Sequence, residues 1–196
     1  MAGQLAYLEK PPLPYVPGQR FTVRAHSPLS LLPPKRGEYD LSPEANKERE
    51  RLSPLQRCLL HPPNGGSFGE STVEFEISHG IRHGKDHFSQ IVAVNILATS
   101  SKSPKALQNV TNAVAKIYDP LYIDHFDDDH DPFVYVERGY ATKVAVYKRL
   151  ASLQGTVIPI LYGSYALDLP IDGSTRSVRL ILMEHVQGLS MMYLKP

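Results

Sequence analysis

Tryptophan is absent from this chain, and cysteine occurs once, at Cys58. A lone cysteine excludes an intramolecular disulfide and a cysteine-rich metal site. No run of 18 apolar residues occurs, so the pattern of a membrane-spanning helix is missing. Residues 1–10 have neither the basic start nor the apolar core of a secretory signal. Charge of one sign is also lacking. With 21 Lys and Arg against 20 Asp and Glu, the formal net charge is +1, which points to neither nucleic acid nor a membrane surface as a partner. The expectation is a soluble intracellular protein, cytoplasmic or nuclear, in which the Asn109-Val110-Thr111 sequon is idle.

What is present first is proline. Eleven of the 17 prolines lie in residues 1–66, and such density blocks long helices and central strands. This stretch reads as a largely irregular leader, with a short strand at 20–24 and one charged helix over 43–58, opened by Ser42 and interrupted near Pro54. The Leu13-Pro14-Tyr15 segment also has the composition of a polyproline-type ligand.

Composition changes at Ser67. Residues 71–77 alternate strictly, with Val73, Phe75 and Ile77 on one face, as a half-buried strand does. Residues 80–88 form a turn-rich connection to a second strand over 89–97. A third strand spans 112–118, where Val114, Lys116 and Tyr118 share one face while Ala113, Ala115 and Ile117 share the other. Lys116 is the residue of interest. An ammonium within an apolar strand must reach water, find a partner, or be aimed into a cleft to hold an anion such as a nucleotide phosphate.

Residues 124–131 are an acidic loop containing Asp127, Asp128 and Asp129. Clustered carboxylates suit calcium, but the glycine and closing glutamate of an EF-hand are missing, which favours a solvated loop. A helix follows over 139–153, with Tyr140, Val144, Tyr147, Leu150 and Ala151 on one side. Lys143 falls inside that apolar stripe, so a second lysine is aimed at the core or a cleft. Strands at 158–169 and 177–183, joined by a turn at 170–173, complete the order strand, strand, strand, helix, strand, strand. His79, His83 and His87 recur every four residues. A helix would place them on one face for zinc, whereas a strand would spread them beyond the reach of one ion.

This order, with a lysine in the third strand, resembles the small N-terminal lobe of a protein kinase. Val114-Ala115-Lys116 resembles the ATP-anchoring lysine strand. Residues 180–188 (Leu-Ile-Leu-Met-Glu-His-Val-Gln-Gly) resemble the fifth strand running into the kinase hinge, with Met183 or Leu182 in the gatekeeper area. The segments Ala-Lys-Ile-Tyr-Asp-Pro, Tyr-Gly-Ser-Tyr and Val-Arg-Leu-Ile-Leu-Met-Glu-His-Val are similar to those of fungal kinase-like proteins, over roughly residues 67–196.

The resemblance implies an α+β fold: a kinase-like N-terminal lobe with a five-stranded antiparallel sheet and one packed helix, preceded by the leader at 1–66 and truncated after the hinge. It implies ATP as cofactor, with Lys116 on phosphate, Gly80 and Gly84 in the loop over the nucleotide, and Glu184, His185 and Val186 as the hinge. Three departures stand against catalysis, the first a degraded phosphate loop that keeps Gly80 and Gly84 but has no Gly-x-Gly-x-x-Gly series. Lys143 occupies the helix position that normally presents a glutamate to the strand lysine, and two lysines repel. No catalytic-loop His-Arg-Asp and no Asp-Phe-Gly, which supply the base and magnesium ligands of a kinase, occur in the chain.

The expected function is a degenerate, pseudokinase-like nucleotide-binding or protein-interaction module whose partner is a kinase or the missing large lobe. The alternatives are the ATP-binding half of a phosphotransferase completed elsewhere, and a structural or histidine-metal protein.

Overall fold

A computed structural model describes residues 10–30, 35, 37–84, 87–125, 130–171 and 173–188. Its strands are β1 (Arg20–Pro28), β2 (Gly66–Arg82), β3 (Gln90–Thr99), β4 (Asn112–Tyr118), β5 (Leu161–Ile171) and β6 (Ser174–Glu184). Three α-helices accompany them: α1 (Pro43–Arg49), α2 (Pro54–Leu60) and α3 (Pro132–Arg149). The α+β class stands. The expected five-stranded sheet and single helix do not: the sheet has six strands, all antiparallel, closed as a barrel in the order β1-β2-β3-β4-β6-β5.

The sixth strand comes from the proline-rich leader. β1 pairs with β2 from Arg20↔Glu76 to Pro28↔Gly66, bends at a bulge between Arg24 and His26, and closes on β5 through Arg24↔Ala166 and Ala25↔Tyr165. A bulge increases local bending and twist, which a closing strand needs. The leader's prolines also start its helices instead of breaking them. Pro43 and Pro54 occupy first-turn positions behind the N-caps Ser42 and Ser53, where proline's missing N–H is no loss.

Strict alternation fills the barrel. Val73, Phe75 and Ile77 point inward beside Ala113, Ala115, Ile117, Leu180 and Leu182. Burial of each large apolar side chain contributes about 1.5–3 kcal/mol. The opposite face of β4 and β6 carries Tyr118 and Ile181, and α3 covers it with Val136, Tyr140, Ala141 and Val144.

This helix starts seven residues earlier than its apolar stripe predicts, because the Asp131 carboxylate caps it by accepting from the Phe133 and Val134 amides. It ends at Arg149, so Leu150 and Ala151 are exposed and not in the stripe. No helix among the described residues is long and apolar enough to cross a membrane.

Candidate functional site

Lys116 lies on the outer face of β4, half-buried between its cross-strand neighbours Ile91 and Ile181. Its ammonium sits 5.4 Å from the centre of the Tyr118 ring, in cation–π range. Burial, with the positive charges of Lys143 on α3 and Arg82 at the end of β2, holds its pKa down at about 8. Among the described residues, no carboxylate pairs with it. Lys143 is half-buried on α3, and its charge and that of Arg82 both act on Lys116.

The loop over this site is shorter than expected. Residues 80–82 belong to β2, and Gly80 pairs with Val92. A side chain at position 80 would meet the His83 imidazole at 2.5 Å, so glycine is required for that ring to lie against the strand. Gly84, at φ +124, does sit in the loop. Both its backbone groups are held by the buried Gln90 side chain, the amide donating to Oε1 at 2.8 Å and the carbonyl accepting from Nε2 at 3.2 Å. Its N–H is thus already engaged within the loop. The loop leans on the helix through Phe88, stacked on Tyr135 at 4.1 Å.

The hinge segment is partly engaged. Glu184 ends β6, its amide donating to the Ile160 carbonyl and its carboxylate accepting from the Ile160 amide. His185 and Val186 follow beyond the strand, with His185 near His79, ring centres 6.3 Å apart. Met183, not Leu182, shares the Lys116 face. Leu182 points into the barrel, while Met183 pairs with Val114 and packs beneath α3.

Among the described residues no group of three metal-ligating side chains exists, so His79, His83 and His87 do not converge. Asp127, Asp128 and Asp129 lie outside the described residues. Their neighbour His125 is not a solvated loop residue. It is buried, with Nδ1 against Arg57 at 3.0 Å and Nε2 donating to the Pro120 carbonyl at 2.6 Å.

Two arginines of β6 carry buried polar networks that sequence reasoning missed. Arg176, in phase with the inward residues Val178 and Leu180, meets Asp119 at the barrel's end through two bonds of 2.6 and 2.8 Å. Arg179 faces outward beside Tyr118. The signal was the one that singled out Lys116: a cation inside an alternating apolar strand.

No family model, no curated protein and no solved structure matches the chain.

Proposed function

We propose that this chain is a nucleotide-binding module that grips a polyphosphate with Lys116, Lys143 and Arg82 and does not itself catalyse phosphoryl transfer. The observation that carries the reading is the half-buried Lys116 ammonium, depressed to about 8 by burial and two further cations, with no acidic partner among the described residues. Such an arrangement is unfavourable when empty and is relieved by an anion. The resemblance of its motifs to a kinase-like small lobe makes ATP the first ligand to test. Lys143 in place of the helix glutamate then adds a phosphate contact and removes the ion pair that positions a catalytic lysine.

Anion binding must raise the Lys116 pKa, so the complex takes up protons near pH 8.5. Calorimetric titration with ATP in two buffers of different ionisation enthalpy should reveal that uptake, and Lys116→Met should abolish it. ATP binding without proton uptake, or uptake unchanged in the variant, would place the anion elsewhere.

A second reading, as a protein-interaction module, is favoured by exposed Val146, Leu150, Leu153 and Val157 at and beyond the end of α3. Four apolar side chains grouped in that way are a recognisable docking feature. Val157→Glu should abolish any self-association seen by analytical ultracentrifugation, with nucleotide binding intact.

A further inference from the structure

A cavity of about 320 Å³ opens between the segment after α2, the end of β4, the first turns of α3, and Arg179 of β6. Part of its wall is apolar, formed by Leu60, Pro62, Pro63 and Phe133. Its polar lining is unusual. Tyr118 and Arg179 are directly opposed across the β4–β6 ladder, and each is more than nine-tenths buried. Among the described residues, the Tyr118 hydroxyl and the Arg179 Nε–H have no hydrogen-bond partner. Arg179 uses its other nitrogens on Ser177 Oγ at 2.9 Å and the Asn64 carbonyl at 3.2 Å, and its guanidinium forms no ion pair among the described residues.

Glu137, on α3, lines the same cavity. Burial pushes its carboxyl pKa up, against the charge of Arg179 and the Asn64 amide, which hold it down. The two side chains thus sense each other electrostatically without touching.

A ligand for this cavity has to satisfy three demands at once. Two adjacent buried donors, one of them on a cation, call for an anionic acceptor, since a buried donor left unpaired is destabilising. Glu137 calls for a cationic donor on the other side. The proline and phenylalanine wall calls for an apolar body, and the volume is at the small end for a ligand site. A simple carboxylate seated on Arg179 sets a second negative charge near Glu137 with nothing added to offset it, and a simple amine leaves Arg179 Nε and Tyr118 as they were.

We propose that this cavity binds a free α-amino acid with a large apolar or aromatic side chain. The carboxylate sits on Arg179 Nε and the Tyr118 hydroxyl, the ammonium on Glu137, and the side chain against Leu60, Pro62, Pro63 and Phe133. The site is separate from the Lys116 cluster, although the Tyr118 ring borders both.

The test is calorimetric titration of the whole chain with L-phenylalanine and L-leucine, beside hydrocinnamate, which lacks the amine, and phenethylamine, which lacks the carboxylate. Saturable binding of L-phenylalanine is expected, with each analogue at least about tenfold weaker. Glu137→Gln and Tyr118→Phe, both close to isosteric, should each weaken it about tenfold, and Glu137→Gln should leave ATP binding unchanged. If Glu137→Gln fails to fold, Tyr118→Phe and the analogue series still decide. Absence of amino-acid binding at millimolar concentration, hydrocinnamate binding as tightly as L-phenylalanine, or unaltered affinity in Tyr118→Phe would each overturn the proposal.

Discussion

The Tyr15 hydroxyl donates to Asp119 Oδ2 at 2.5 Å, while both ends of the Arg176 guanidinium hold the same carboxylate. One buried carboxylate thereby joins the proline-rich leader, the end of β4 and the start of β6. Tyr122 packs edge-on to Tyr15 and lies 5.7 Å beneath the arginine. The leader is therefore anchored in the barrel's end. Asp119→Ala would leave Arg176 buried without a counter-charge and should cost about 3–5 kcal/mol. Tyr15→Phe removes one bond to a charged group, about 1.5–3 kcal/mol. Urea unfolding midpoints measure both, and an unchanged midpoint in Tyr15→Phe would mean that the leader is not held there.

Acid should unfold the protein through two histidines. His26, beneath the Tyr140 hydroxyl at 2.9 Å, and His125 are both held near pKa 4, chiefly by burial. Arg179 adds to the shift at His26. At His125, Arg57 and Lys10 add to it, while the Pro120 carbonyl and Asp124 oppose it. An unfolded histidine titrates near 6.5, so the unfolded state binds more protons between pH 6.5 and 4, and stability falls as pH drops through that window. Each histidine contributes a slope of about 1.4 kcal/mol per pH unit there. Glu137, raised by burial, acts in the opposite sense and offsets part of the loss. A stability profile that stays flat down to pH 4.5 would contradict the buried neutral histidines.

Lys143→Glu should reverse the electrostatics of the Lys116 cluster. The substitution places a carboxylate where a cation now depresses Lys116, and the new pair should add roughly 1 kcal/mol at pH 7, the scale of a partly solvated ion pair. ATP affinity should fall about tenfold, as expected for loss of one charge-assisted contact. Equal thermal stability and equal affinity in the variant would show that Lys143 does not act on Lys116.

Cys58 should be inert in the native state. It lies on the buried face of α2, and its thiol is pushed up to about 12, mainly by burial. The thiolate is the reactive form. Labelling by a thiol reagent at pH 8 should proceed at the global unfolding rate and accelerate in Asp119→Ala. Rapid labelling of the native chain would show that α2 detaches on its own.

Much of the fold was legible because alternation is a strong signal. Residues 112–118 divide as the sequence suggests, with Ala113, Ala115 and Ile117 inside the barrel and Lys116 outside. Closure was not legible. β1 lies in the proline-rich stretch and closes on β5 through only two residue pairs, a non-local contact that its own sequence does not announce. The helix start was hidden for a different reason: Asp131-Pro132 is a capping pair, but it follows a run of acids that masks it. Gly80 looked like loop because polar residues surround it, yet the ladder continues through it to Arg82. Lys116 and Lys143 were found as candidates. Tyr118 and Arg179 were passed over as ordinary strand residues, because only the folded chain shows that each leaves a buried polar atom without a partner among the described residues.

The most direct test of the central claim is a thermal-shift titration of the whole chain with ATP, without and with magnesium, beside Lys116→Met. A site built from cations alone favours free ATP, because magnesium neutralises the phosphates and finds, among the described residues, no carboxylate beside Lys116 to hold it. The account predicts a rise in Tm with magnesium-free ATP, a smaller rise when magnesium is added, and no rise in Lys116→Met. That variant should itself melt slightly higher than the native chain at pH 7, having lost an unpaired cation. No shift with ATP, a shift that survives Lys116→Met, or a shift enhanced by magnesium would contradict it.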